Sequence, residues 1–86
     1  MNNTQHETGS GWVAEYAARV EAAKQNPRLH EIPVAVDAIN AEYGVTSRYQ
    51  RRLREWFAAR PDLGDLIVAA LRGDEAAYAE CRDAVR

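Results

Sequence analysis

One cysteine, two histidines and one lysine among 86 residues leave little for several kinds of chemistry. With Cys81 alone, neither an internal disulfide nor a cysteine-rich zinc site can form, and a reducing compartment is expected. Cys81 itself reads as a small apolar residue on a helix face. His6 and His30 lie far apart, with no ligand spacing to a second His or Cys, so no metal is expected. No apolar run approaches the roughly 18 to 20 residues of a membrane span. The opening Met1–Thr8 is polar and lacks the basic and apolar blocks of a signal peptide, which points to the cytoplasm and away from a membrane. There is no Ser/His/Asp, Cys/His or Gly-rich phosphate-binding pattern. Gly9 and Gly11 flank a helix start, and the acidic pairs Asp62/Asp65 and Asp74/Glu75 sit where helix capping accounts for them. Neither an enzyme, a cofactor nor a small-molecule substrate is therefore expected.

No run of alternating β-branched residues appears either, and no internal repeat. The chain is instead rich in alanine and arginine, with ten Arg, and in strong helix formers. Its length allows one domain with a modest core. The expected fold is all-α, a compact bundle of about five helices over residues 10–86, preceded by a disordered polar tail at residues 1–9.

Hydrophobic periodicity places the helices. Gly11–Gln25 follows Ser10 as N-cap, buries Trp12, Val13, Tyr16, Ala17 and Val20, and stops at Asn26-Pro27. Pro33 opens a second helix with an inward stripe of Val34, Ala35, Ala38 and Ile39, ending at Gly44. A third is expected from Ser47 to Ala59, with Ser47 and Gln50 forming a capping box and Tyr49, Leu53, Trp56 and Phe57 facing inward. A fourth follows Asp62 as N-cap, with Leu63, Leu66, Ile67, Ala70 and Leu71 on one side and Gly73 at its end. Asp74 caps a fifth that runs to Val85 and turns Ala77, Tyr78, Cys81 and Val85 inward.

The segment from Ile39 to Leu53 carries the functional reading. A helix-turn-helix needs an apolar residue late in its first helix, a glycine at the turn, an apolar residue after it and inward residues on the second helix. Ile39, Gly44, Val45, Tyr49 and Leu53 occupy those places. Charge supports the assignment, although the whole chain carries −2: Arg48–Arg60 holds five Arg and one Glu, a net +4, which leaves −6 on the other 73 residues. A local basic stripe suffices to neutralise phosphates, and arginine can also grip guanine in the major groove.

Gly-Val-Thr-Ser-Arg-Tyr-Gln-Arg-Arg-Leu, followed by Arg-Pro-Asp-Leu and Leu-Arg-Gly-Asp, resembles the helix-turn-helix of phage and plasmid regulators. The version in ParB/KorB-like partition proteins and at the C-terminus of some serine recombinases is the most similar, over about residues 34–74. The resemblance implies duplex DNA binding through Thr46, Ser47, Arg48, Arg51 and Arg52, and Arg54, beside Arg51 on the helical wheel, completes the expected contact set. It implies neither partition nor recombination, whose nucleotide and catalytic domains are missing. Two positions depart from the pattern. Asn40 stands where a small Ala is usual, and Gln50 where Val or Ile packs inward. The resulting expectation is a small transcriptional regulator of a mobile element acting as a homodimer through Trp12 and Tyr16 or Tyr78 and Val85. The alternative is a protein-protein interaction module, an inhibitor or adaptor, using the same Arg-rich helix.

Overall fold

The computed structural model describes residues 10–25 and 27–86, so the expected tail at residues 1–9 and Asn26 lie outside the described residues. Five α-helices and no strand are found among them: α1 (Gly11–Lys24), α2 (Ile32–Glu42), α3 (Gln50–Ala59), α4 (Gly64–Leu71) and α5 (Glu75–Val85). Short 3-10 turns at Leu29–Glu31 and Pro61–Leu63 lead into α2 and α4. The all-α bundle is thus as expected. None of these helices is long and apolar enough to cross a membrane.

Packing is most extensive within two helix pairs, α1 with α2 and α4 with α5, and α3 lies chiefly on α4. Every helix contributes to one continuous core: Val13, Tyr16 and Val20 from α1, Ile39 from α2, Leu53 from α3, Ile67, Ala70 and Leu71 from α4, and Ala77, Tyr78 and Cys81 from α5. Val45, in the connection between α2 and α3, is buried among them. Trp56 and Phe57 pack against this core from its edge. Burial pushes the Cys81 thiol above its ordinary value, as suits an inert core residue.

Three local expectations need correction. The inward face of α2 is not Val34, Ala35, Ala38 and Ile39. Val34 and Ala38 are exposed, and Ile32, Ala35, Val36 and Ile39 turn inward instead. The helix begins at Ile32, and Ile32, Ala35, Val36 and Ile39 follow the i, i+3, i+4, i+7 spacing of one face, from which Val34 and Ala38 point away. Asp62 does not cap α4. Its carboxylate is held by Arg60 through Nε (3.0 Å) and Nη2 (2.8 Å), within the Pro61–Leu63 turn, and the helix begins after Leu63 with no side-chain cap. Tyr16 and Tyr78, offered as dimer contacts, are 0% and 8% exposed and belong to the core of one chain.

Asp74 does cap α5, accepting a hydrogen bond from the Ala77 N–H at 3.1 Å. Gly44 and Gly73 end α2 and α4 with φ of 72° and 102°, in the left-handed region that a Cβ disfavours. A β-branched residue is the worst fit there. Gly44→Val should lower stability by about 1 to 3 kcal/mol, read as a fall in the midpoint of thermal or urea unfolding. A wild-type midpoint would refute this account of the turn.

Candidate nucleic-acid interface

The connection between α2 and α3 sets which side of α3 meets solvent. It runs from Tyr43 to Tyr49, seven residues, longer than the three or four of a compact helix-turn-helix. Its backbone is tied at both ends. The Val45 N–H donates to the Asn40 carbonyl at 2.8 Å, closing α2, and the N–H groups of Thr46 and Ser47 both donate to the Leu71 carbonyl, at 2.9 and 3.0 Å. Leu71 is the last residue of α4, so an otherwise orphaned carbonyl at a helix C-terminus becomes the anchor of the connection.

This anchoring corrects the start of α3. Ser47 is held outside the helix by its backbone bond to Leu71, and its Oγ accepts from the Tyr49 N–H at 3.0 Å rather than from Gln50. The helix begins at Gln50, with the Tyr49 carbonyl accepting from the Leu53 N–H. The Gln50 side chain does not reach back to Ser47 as a capping box requires. It turns inward and accepts from Arg54.

Leu53 then points into the core, with Trp56 and Phe57 at its margin. The opposite face carries Arg51 and Arg52, with Arg48 in the turn just before the helix, all exposed, which with Tyr49 and Glu55 line a shallow concavity of about 290 Å³. Each guanidinium is held differently. Arg48 lies over the Tyr49 ring at 5.1 Å and donates to its hydroxyl at 3.0 Å, a contact that raises the Arg48 pKa. Arg52 donates to the Tyr78 hydroxyl at 2.8 Å. Arg51 pairs with Glu55 at 3.7 Å across one helical turn, with its side chain 78% exposed. Thr46 is exposed and Ser47 half-buried, both just before the helix.

Arg54 does not belong to this face. It is 8% exposed and sits between α1 and α3, donating to Gln50 and, at 3.4 Å, to the Tyr16 hydroxyl. Burial of its stem between the helices explains the discrepancy, since Arg54 lies at the boundary of the apolar stripe rather than opposite it.

Arg72 escaped sequence reasoning. Its guanidinium stacks over Trp12 at 4.8 Å and donates to the Tyr43 carbonyl at 3.2 Å, so it clamps the end of α2 to the start of α1. A basic residue after an apolar helix signals only a favourable helix end. Trp12 in turn stacks on Tyr43 at 5.5 Å. Comparison with protein-family models, with curated proteins and with solved structures yields no match, which leaves the chain's own residues as the basis for function.

The Tyr49 and Tyr78 rings stack at 4.1 Å with 14° between their planes, and Trp56 also stacks on Tyr78, at 5.3 Å. α3 is thereby seated on α5, and Arg52 is positioned from below. Tyr78→Phe keeps the stack and removes only the acceptor. It should cost about 0.5 to 1.5 kcal/mol at most, while relaxation of the Arg52 Nε–H in NMR shows a more mobile side chain. Unchanged Arg52 dynamics would show that the hydroxyl does not hold it.

Proposed function

We propose that this chain binds duplex DNA through the outward face of α3, as a small regulator rather than an enzyme. One observation carries the reading: Arg51 and Arg52 on α3, and Arg48 in the turn just before it, are exposed on one side of a helix whose other side is fixed in the core. Guanidinium groups on an exposed helix neutralise phosphates and release counterions, and a guanidinium that reaches a guanine edge adds sequence discrimination. α2, the connection and α3 act together as the helix-turn-helix, with Thr46, Ser47 and Arg48 entering first. The resemblance to phage and plasmid regulators gives the setting, transcription control in a mobile element, with the protein acting in the cytoplasm where its DNA target lies.

Two copies reading half-sites about one DNA turn apart would supply the affinity that one short helix lacks. With Tyr16 and Tyr78 inside the core, the apolar surface left for a second copy is at the start of α2, where Leu29 and Val34 are 73% and 70% exposed.

Replacing Arg48 and Arg51 together with Ala should leave stability within about 0.5 kcal/mol of wild type, since both side chains are exposed. Binding to the protein's own upstream DNA should weaken sharply. Phosphate contacts would appear as a salt dependence shallower by about one unit per arginine, and a guanine contact as relaxed specificity at one base pair. Gel shifts at two salt concentrations decide. Undiminished affinity rejects this face, and wild-type protein with no affinity for DNA leaves the same face to a protein partner.

Val34→Glu tests the assembly. Light scattering at micromolar concentration should show a dimer for wild type and a monomer for the variant, with an unchanged melting temperature when monomers are compared. A wild-type monomer both free and on DNA ends the dimer reading.

A further inference from the structure

We propose that the groove between α1, α2 and α3 binds a small amphipathic monocarboxylate, with the Arg54 guanidinium as its anchor. The groove has a volume of about 450 Å³, within the range of small-molecule sites, roughly 300 to 1,000 Å³. Ile32, Pro33 and Val36 supply the apolar lining above the buried Val20, and Lys24, Gln50 and Arg54 supply polar groups.

Arg54 is the unusual member. A buried cation is ordinarily matched by an acid, because an isolated charge out of water is costly. Arg54 is 8% exposed, yet takes part in none of the ion pairs among the described residues. Its partners are neutral: the Gln50 amide oxygen, the Tyr16 hydroxyl and, at 5.8 Å, the Tyr16 ring. Both hydrogen bonds come from Nη1. Nε and Nη2, the edge that grips a carboxylate with two parallel bonds, have no acceptor among the described residues, and Arg54 lines the groove. The other cations of the lining stand in exposed pairs that an incoming carboxylate can exchange: Lys24 with Glu21 at 3.5 Å and Arg51 with Glu55 at 3.7 Å.

The same surroundings define the ligand. The apolar lining suits an alkyl chain. Asp37, exposed on the rim, is outweighed by the cations of the lining, and Arg54, the one of them that is buried without an acid, makes a single carboxylate the matching headgroup. Arg51 stands both on this rim and on the outward face of α3, so an occupied groove also alters the field of that face. The site nevertheless stands apart from any affinity for DNA, because it is tested by direct binding.

The experiment is an NMR titration of the ¹⁵N-labelled full chain with sodium hexanoate, and separately with 1-hexanol and sodium phosphate at matched ionic strength. Hexanoate should give saturable shifts at the Val36 amide, the Gln50 side-chain amide and Arg54 Nε–H, whereas hexanol, lacking the charge, and phosphate, lacking the chain, should not. Arg54→Met, close in length and apolar, should weaken binding about tenfold or more while keeping a dispersed spectrum. Should that variant not fold, Lys24→Ala decides: its side chain is on the surface, and affinity should fall severalfold. Absence of saturable hexanoate shifts, equal response to phosphate, or wild-type affinity in a folded Arg54→Met or in Lys24→Ala overturns the proposal.

Discussion

A phenol hydroxyl buried at the meeting point of three helices is the constraint on which the first half of the chain depends. Tyr16 is 0% exposed, so its hydroxyl has no bulk water and must be satisfied by protein. It donates to Asn40 Oδ1 at 2.5 Å and accepts from Arg54 at 3.4 Å, while Arg54 also donates to Gln50. The partners come from α1, α2 and α3 in turn. Burial pushes the Tyr16 pKa above its ordinary value, against the opposing pull of Arg54, so the proton donated to Asn40 is secure at neutral pH. Loss of a single partner would strand a polar group in the interior, at about 1 to 3 kcal/mol. The cluster therefore links helices that apolar packing alone leaves loosely joined, since α2 packs chiefly on α1 and α3 chiefly on α4.

The second half is held by backbone geometry and small side chains. Ala70 and Ala77 let α4 and α5 approach closely, Gly73 makes the turn between them, and Asp74 starts α5 with a side-chain cap. Gly64 is part of the same economy. A Cβ there would stand 2.6 Å from that of Ser10, so the start of α4 and the start of α1 can touch only as glycine allows. By accepting both Thr46 and Ser47, the Leu71 carbonyl transmits this rigidity to the connection and fixes the direction in which α3 leaves it.

Helix count and the core positions of α1, α4 and α5 are legible from periodicity because each of these helices buries one continuous stripe. α2 was less legible. Val34 looks as apolar as Val36, yet Val36 shares the i, i+3, i+4, i+7 spacing of Ile32, Ala35 and Ile39 and Val34 does not, a stripe missed by starting the helix at Pro33 rather than Ile32. The start of α3 was misread because Ser47 and Gln50 have the residue types of a capping box while their hydrogen bonds lie elsewhere in the fold. Asn40 and Gln50 are the two departures from the helix-turn-helix pattern, and they are the two residues that complete the Tyr16 and Arg54 cluster. Their polarity was a signal of a buried polar contact across helices. Gln50 and Arg54 are four apart on one helix and could be paired from spacing, whereas the partner of Asn40, 24 residues away on another helix, could not.

The same contrast explains how a chain of net charge −2 can keep a usable basic face. Arginines neutralised by carboxylates offer little to an incoming anion, since each pair must first be broken. On the outward face of α3, however, Arg48 and Arg52 are oriented by phenol oxygens, those of Tyr49 and Tyr78, which direct a guanidinium without cancelling its charge. Among the described residues of this face only Arg51 forms an ion pair, while Arg48 feels the charge of Glu75, and the exposed Arg51–Glu55 pair is of the kind worth about 0 to 1 kcal/mol, readily exchanged for phosphate. The stacked rings beneath supply rigidity that a flexible acidic side chain would not. Orientation by neutral aromatic acceptors therefore does two things at once: it lowers the entropy lost when the guanidinium groups engage an anion, and it leaves their full charge available to that anion.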